Sequence, residues 1–298
     1  MKQVLILLSS YNGEKYISEQ IDSILSQENV NIKILVRDDG STDSTPQILE
    51  RYKQEGKLEY YIGENVGWEK SFLDLILHAP DNEYYAFSDQ DDYWMPNKLY
   101  KAIECIETLP EGIRAYVSNT YYWRGETKIK MNNITHRFDA ARNIIWMPGP
   151  GCTMLFNQAL VKQIKERHPN NIYPHDKLLL LVAILCGNVY YDTNAYILYR
   201  QHGNNQLGGT LTLKENFKRR YNFYSKLYNY HCLDMLASDL LDCYSNIMNN
   251  ESYDICYNLA NYRKKIVCFL KVLFLPKFSH ESLLTTLGFK SRVLVRHI

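Results

Sequence analysis

The chain has 298 residues, a formal net charge of +1 and 46% hydrophobic side chains. That length suffices for one large domain, or one domain with an appendage. The near-neutral charge advertises no nucleic-acid or strongly acidic partner. Seven cysteines are scattered along the chain without a C-x-x-C pair, which reads as reduced thiols in a cytosol rather than disulfides or a zinc site. Lys2 is followed at once by a short strand-like run, so no signal peptide is expected. No run of about 18 apolar residues occurs, so no spanning helix is expected.

Val4-Leu5-Ile6-Leu7-Leu8 is a continuous apolar run, the pattern of a buried parallel strand. Ser9 to Gly13 reads as a turn. Ile17, Ile21, Ile24 and Leu25 then recur at helical spacing. Residues 32–36 predict a second strand, closed by the turn Asp38-Asp39-Gly40-Ser41-Thr42. Thr45-Pro46 places proline at a helix start. Residues 58–62 predict a third strand, Asn65-Val66-Gly67 precedes a helix around 72–77, and residues 84–87 predict a fourth strand. Strand and helix alternate four times over about 90 residues, the signal for βαβ units in a parallel sheet with helices on both faces. Ligands in such sheets sit beyond the carboxyl ends of the strands. The polar clusters around Ser10, Asp39, Asn65 and Asp89–Asp92 all fall at those ends and are expected to converge on one crevice.

The segment Phe87-Ser88-Asp89-Gln90-Asp91-Asp92-Tyr93-Trp94 crowds three carboxylates just past the fourth strand. Bare aspartates this close repel one another and would repel a diphosphate. A hard divalent cation, Mg²⁺ or Mn²⁺, shared with substrate phosphates reverses that sign. The alternative is a solvated acidic turn or helix capping by Asp91 or Asp92. No G-x-G-x-x-G follows the first strand and no P-loop occurs anywhere, which argues against a dinucleotide oxidoreductase and a P-loop NTPase.

Farther on, Gly149-Pro150-Gly151-Cys152-Thr153-Met154 is a glycine-rich loop. Pro174-His175-Asp176 precedes an apolar helix over residues 178–185. Residues 189–191 and 196–199 read as two short strands. The polar run Tyr199-Arg200-Gln201-His202-Gly203-Asn204-Asn205 follows, and Gly208-Gly209 marks a boundary. Residues 211–298 read as helical with a basic end: from Cys256 onward there are eight Lys or Arg and one acid, Glu281. The apolar stretch 266–275, flanked by Arg263-Lys264-Lys265 and Lys277, is too short to span a bilayer but suits lying on one.

Four stretches together resemble the nucleotide-sugar-dependent glycosyltransferases of family 2: Leu7 to Gly13, Val36 to Asp43, Asn65-Val66-Gly67, and Ser88 to Leu99. The resemblance covers residues 1–210. The Ser-Asp-Gln-Asp-Asp form and the later Tyr-Arg-Gln-His-Gly-Asn-Asn are most similar to the bacterial rhamnosyltransferase-like branch that builds surface polysaccharides. It implies an α/β fold of the GT-A type, a doubly wound, mostly parallel sheet with flanking helices, carrying a helical C-terminal appendage. Within it, residues 1–100 would form the nucleotide-sugar half, 101–210 the acceptor half, and 211–298 the basic helical region.

The resemblance also implies roles. Asp39 would accept the N3–H of a uracil or thymine base, with Ser10 and Tyr11 beside it and Asn65 and Gly67 letting the backbone approach the nucleotide. An Asx-turn is the bland reading of Asp39. Asp91 and Asp92 would hold the metal and diphosphate, Asp92 as direct ligand, with Arg200 on the diphosphate and His202 completing the metal shell. Asp176 would be the general base of an inverting transfer, an N-cap being its structural alternative. Gly151, Met154 and His175 would shape the acceptor side. The activity implied is metal-dependent transfer of a hexose, with rhamnose from dTDP-rhamnose as the leading example, from a dTDP- or UDP-linked donor onto a growing surface glycan or lipid-linked acceptor. The setting implied is the cytoplasm, with a peripheral seat on the inner membrane's cytoplasmic face through the basic tail. A nucleotidyltransferase and a catalytically silent sugar- or membrane-binding subunit are the competing classes.

Overall fold

Strand β1 (Gln3–Ser10) carries Val4 to Leu8, all buried, so both of its faces need cover. In the computed structural model, which describes residues 1–131, 139–145, 150–202, 233–279 and 283–294, that cover comes from helices. Val4, Ile6 and Leu8 pack toward α1 (Ile17–Leu25), α2 (Thr45–Gln54) and α4 (Lys98–Ile106), in one apolar cluster. Leu5 and Leu7 point the other way, toward α3 (Trp68–His78), α6 (Gln158–Glu166) and α7 (His175–Cys186). The alternation follows from the two-residue period of a strand. Each such fully buried Leu or Ile contributes about 1.5–3 kcal/mol of apolar burial.

The sheet runs in the order β3-β2-β1-β4-β8-β6-β9-β5, with β7 paired to β6. Strands β1, β2 (Asn31–Asp38), β3 (Glu59–Ile62) and β4 (Tyr84–Ser88) are mutually parallel, as the βαβ reading expects. β8 (Leu155–Asn157) is antiparallel to both neighbours, β4 and β6 (Arg114–Arg124). It thus joins the parallel half to a second half made of β6, β9 (Asn188–Arg200), β5 (Tyr93–Trp94) and β7 (Thr127–Lys130). The two short strands expected at 189–191 and 196–199 form one strand, β9. The polar interruption between them is taken up where the pairing of β9 with β6 shifts register, and Asp192 Oδ1 accepts the Asn194 backbone N–H at 2.8 Å there, so a bulge rather than a turn results.

The expected helix at 178–185 extends back to His175. Asp176 therefore lies in the helix's first turn, not ahead of it, and no side chain caps the N-terminus, which Pro174 occupies. A carboxylate there is favoured by the helix dipole.

Helix α5 (Ala140–Ile145) and the C-terminal helices α8 (Leu233–Tyr244), α9 (Asn250–Asn261), α10 (Ile266–Phe274) and α11 (Leu283–Leu294) complete the described chain. Leu236, Leu240, Tyr244, Ile255 and Leu259 join the same core as α7, and Tyr244 donates its hydroxyl to the Arg167 carbonyl at 2.7 Å. Among the described residues no helix is long and apolar enough to cross a membrane. The boundary expected at Gly208-Gly209, the helical reading of 211–232, Gly149, and Gly203 to Asn205 lie outside the described residues.

Candidate active site

The strand ends converge. β2 ends at Asp38 beside Ser10 of β1, and the Asp39 backbone N–H donates to the Ser10 carbonyl at 2.7 Å. The Asp39 carboxylate then reaches across to the loop after β3. Its Oδ1 accepts from Val66 N–H (3.1 Å) and from the Arg37 guanidinium, and its Oδ2 accepts from Gly67 N–H (2.9 Å). Arg37 also donates from Nε to Asp74 Oδ2 at 3.0 Å. Asp39 is thus a buried clamp rather than a side chain open to solvent. Oδ2 retains one lone pair for a further donor.

Ser10 is buried, and its hydroxyl turns toward Asp38, so it presents no side chain to a cleft. Tyr11 is exposed, and so is Asn65. Gly67 has φ +82°, a left-handed conformation that disfavours side chains, and the space where a Cβ would stand is open.

Beyond β4 the acidic residues separate. Asp92 is 0% exposed. Its Oδ1 accepts the Arg200 backbone N–H at 3.2 Å, while Oδ2 is buried with no hydrogen-bond partner. Ligand atoms of Asp89, Asp92 and Cys152 lie within 4.8 Å of one another. Asp91 instead turns to His202, with Oδ2 2.7 Å from Nε2. Arg200 donates from Nε to the Asp91 carbonyl at 2.9 Å, pairs with Glu19, and stacks its guanidinium 4.1 Å from the Trp123 ring centroid. His202 stacks on Tyr16 at 5.2 Å. The metal set expected from sequence, Asp91, Asp92 and His202, is therefore split: Asp89 and Cys152 stand beside Asp92, and Asp91 pairs with His202.

Burial and mutual repulsion govern the acids. Desolvation, with the charges of Asp91 and Asp176, pushes Asp89 up to about 7. Burial first, then Asp89 and Asp91, raise Asp92 well above the ordinary carboxylate range. The Cys152 thiol, buried and beside these acids, is pushed well up too, so it stays a neutral S–H and not a soft thiolate. The hard donors are then Asp89 and Asp92, whose orphaned buried oxygen suits a dication such as Mg²⁺ or Mn²⁺. The residues present fit such an ion.

Asp176 is half-buried. Desolvation raises its pKa, against hydrogen bonds from the backbone of Lys177 and Gly151; the Lys177 N–H lies 2.7 Å from Oδ1. A Cβ at Gly151 would sit 2.8 Å from the Asp176 Cβ, so only glycine admits this close approach. His175 is buried among Phe72 (3.9 Å, stacked), Phe87 and Trp68, and desolvation lowers its pKa to about 3. Met154 is 1% exposed and packs in the core. Met154 and His175 are thus packed among core residues, because their helix and strand surroundings close over them.

Sequence reasoning missed three participants. The Gln90 amide clamps the Tyr11 backbone, accepting its N–H at 2.9 Å and donating to its carbonyl at 3.0 Å. Lys98 is buried 3.6 Å over the Trp94 ring with its Nζ unpartnered, its pKa pushed down to about 7 by desolvation. Cys152 is the third. Only the position of Lys98 three residues past the Tyr-Trp-Met segment could have flagged it.

The fold and this cleft define a GT-A type glycosyltransferase. The structure aligns with Staphylococcus aureus TarS 1–349 in complex with UDP-GlcNAc at a TM-score of 0.60 and 19% identity, covering 98% of this chain and 81% of that one. It aligns with the mannosyltransferase PcManGT of Pyrobaculum calidifontis, in complex with GDP-Man and Mn²⁺, at a TM-score of 0.52 and 14% identity, covering 99% and 86%. Residues 5–164 match the model of Glycosyl transferase family 2, and the chain belongs to that family. It is 33% identical over 232 residues to the dTDP-rhamnosyl transferase RfbG of Shigella flexneri, covering 71% of this chain and 77% of that protein. Of the three functional classes left open by the sequence, glycosyl transfer is the one that stands.

Proposed function

We propose that the protein is a metal-dependent, inverting rhamnosyltransferase that uses dTDP-rhamnose and extends a surface glycan on a lipid-linked acceptor at the cytoplasmic face of the membrane. Residues 1–210 carry the chemistry, and the C-terminal helices α8 to α11 form an appendage to it. The observation that carries the reading is the unpartnered, buried Oδ2 of Asp92 beside Asp89, in a chain related to an enzyme named for dTDP-rhamnose.

Asp92 and Asp89 would hold Mg²⁺ or Mn²⁺, which when bound offsets the diphosphate's charge as it departs. Arg200 steadies the Asp91–Asp92 turn and supplies positive charge at the diphosphate; His202 holds Asp91. Asp39 fixes the 65–67 loop and offers its remaining Oδ2 lone pair to the N3–H of the base, with Tyr11 and Asn65 at its edge. Gly67 leaves room for the nucleotide's close approach. Asp176 takes the proton of the attacking acceptor hydroxyl, and its raised pKa brings it closer to working pH as a base. Gly151 keeps the wall beside Asp176 thin enough for that approach.

A thermal-shift screen of dTDP-, UDP- and GDP-sugars, with and without Mn²⁺, tests this. The expected result is the largest stabilisation by dTDP-rhamnose, and only with the ion. Stabilisation by UDP- or GDP-sugars alone, or equal shifts in EDTA, would overturn it. Product analysis by NMR must also show an anomer opposite to that of the donor.

A further inference from the structure

Half of the exposed large hydrophobic side chains among the described residues fall between residues 266 and 294. On α10 they are concentrated: Ile266 (64%), Val267 (61%), Leu270 (45%) and Phe274 (72%) stand exposed. At 100° per residue these four share one arc of the helix. Cys268 and Val272, on the other side, are buried in the core. The arc is thus not the packing face of the helix, which is already used.

The rim of this arc is cationic. Lys264 and Lys265 are exposed immediately before the helix, where positive charge opposes the helix dipole; helix stability does not account for them. α10 itself bears no acidic residue. Lys271 and Lys277 lie on Asp254 at 3.5 and 2.7 Å, and Lys265 donates to the uncharged Tyr257 hydroxyl, so the positive charge not met by an acid is concentrated at the Lys264-Lys265 end. An apolar arc with a positive edge complements an anionic lipid surface, in which the apolar side chains enter the headgroup boundary and the lysines meet lipid phosphates. A second copy of the chain seated on this arc would offer Lys264 and Lys265 no acidic partner from its own α10, so charge complementarity favours the lipid.

We propose that α10 is a lipid-contacting helix that seats the enzyme on an anionic membrane through Ile266, Val267, Leu270 and Phe274, with Lys264 and Lys265 on the headgroups. This deepens the reading of a lipid-linked acceptor. Its test uses neither donor nor acceptor, so it can fail while the transfer reading stands. The full chain is floated with phosphatidylcholine vesicles and with vesicles containing about 30% phosphatidylglycerol. The wild type is expected to float with the anionic vesicles only, and to be released by about 0.5 M salt. Val267→Glu with Phe274→Glu is expected to reduce recovery by about 10-fold or more. Lys264→Glu with Lys265→Glu, which leaves the apolar arc intact, is expected to reduce it as well. Both variants should retain the wild-type melting temperature and donor-induced thermal shift. The proposal is overturned if the wild type does not float, if the apolar variant floats equally well, or if light scattering shows a dimer that the apolar variant dissociates.

Discussion

Arg200 and Asp92, 108 residues apart, meet at the centre of the cleft: the arginine's backbone N–H donates to Asp92 Oδ1. Its side chain also holds the Asp91 carbonyl and pairs with Glu19. One residue at the end of β9 therefore sets the orientation of two acids at the end of β4. Arg200→Lys keeps the charge but loses the planar fork and the stack on Trp123. A fall in turnover of roughly 10–100-fold is expected, the size seen when a residue supporting ion ligands is lost. Steady-state kinetics with Mn²⁺ titration will read it, together with weaker Mn²⁺ dependence; unchanged Mn²⁺ affinity would count against the role.

Asp92 is buried with an unpartnered oxygen, and burial beside Asp89 and Asp91 makes its ionised form costly without a cation. Asp92→Asn is expected to raise stability in EDTA by about 1–3 kcal/mol, while abolishing the stabilisation that Mn²⁺ gives the wild type. Urea unfolding with and without the ion checks both signs. A variant less stable than wild type in EDTA would contradict the assignment.

Asp176→Asn should spare donor binding and cut turnover by roughly 10²–10⁴-fold, the range for loss of a general base. Gly151→Ala should act in the same direction with a smaller loss, because its Cβ would push on Asp176 at 2.8 Å. Calorimetry for donor binding alongside kcat separates the two effects.

His175 titrates at about 3 in the fold against 6.5 in the open chain. As pH falls below 6.5 the unfolded chain takes the proton first, so this residue's contribution erodes stability by about 1.4 kcal/mol per pH unit until about pH 3. Above 6.5 the imidazole is neutral in both states, so this contribution no longer changes with pH. His175→Phe, which suits the Phe72, Phe87 and Trp68 cage, should therefore lose about 2 kcal/mol less than wild type between pH 6.5 and pH 5. Parallel urea midpoints at the two pH values test this.

Much of the architecture was legible because it is periodic. The apolar run at 4–8, the helical spacing of Ile17, Ile21 and Ile24, and the polar clusters at four strand ends depend on neighbours close in sequence. They located the βαβ half and the strand ends at which Asp39 and Asp92 stand. What tertiary structure alone decided is pairing at a distance. Whether Asp39 opens to solvent or clamps Gly67 is settled by the loop after β3, and whether Asp91 serves Asp92 or His202, and whether Cys152 stands beside Asp92, by β8 and β9 inserting among the other strands. Met154 and His175 read as wall residues in one dimension and became core in three, since burial is a property of what closes over a side chain. Local periodicity carries fold class because hydrogen bonding and side-chain direction repeat along the chain; partner choice does not repeat, and only the folded contacts assign it.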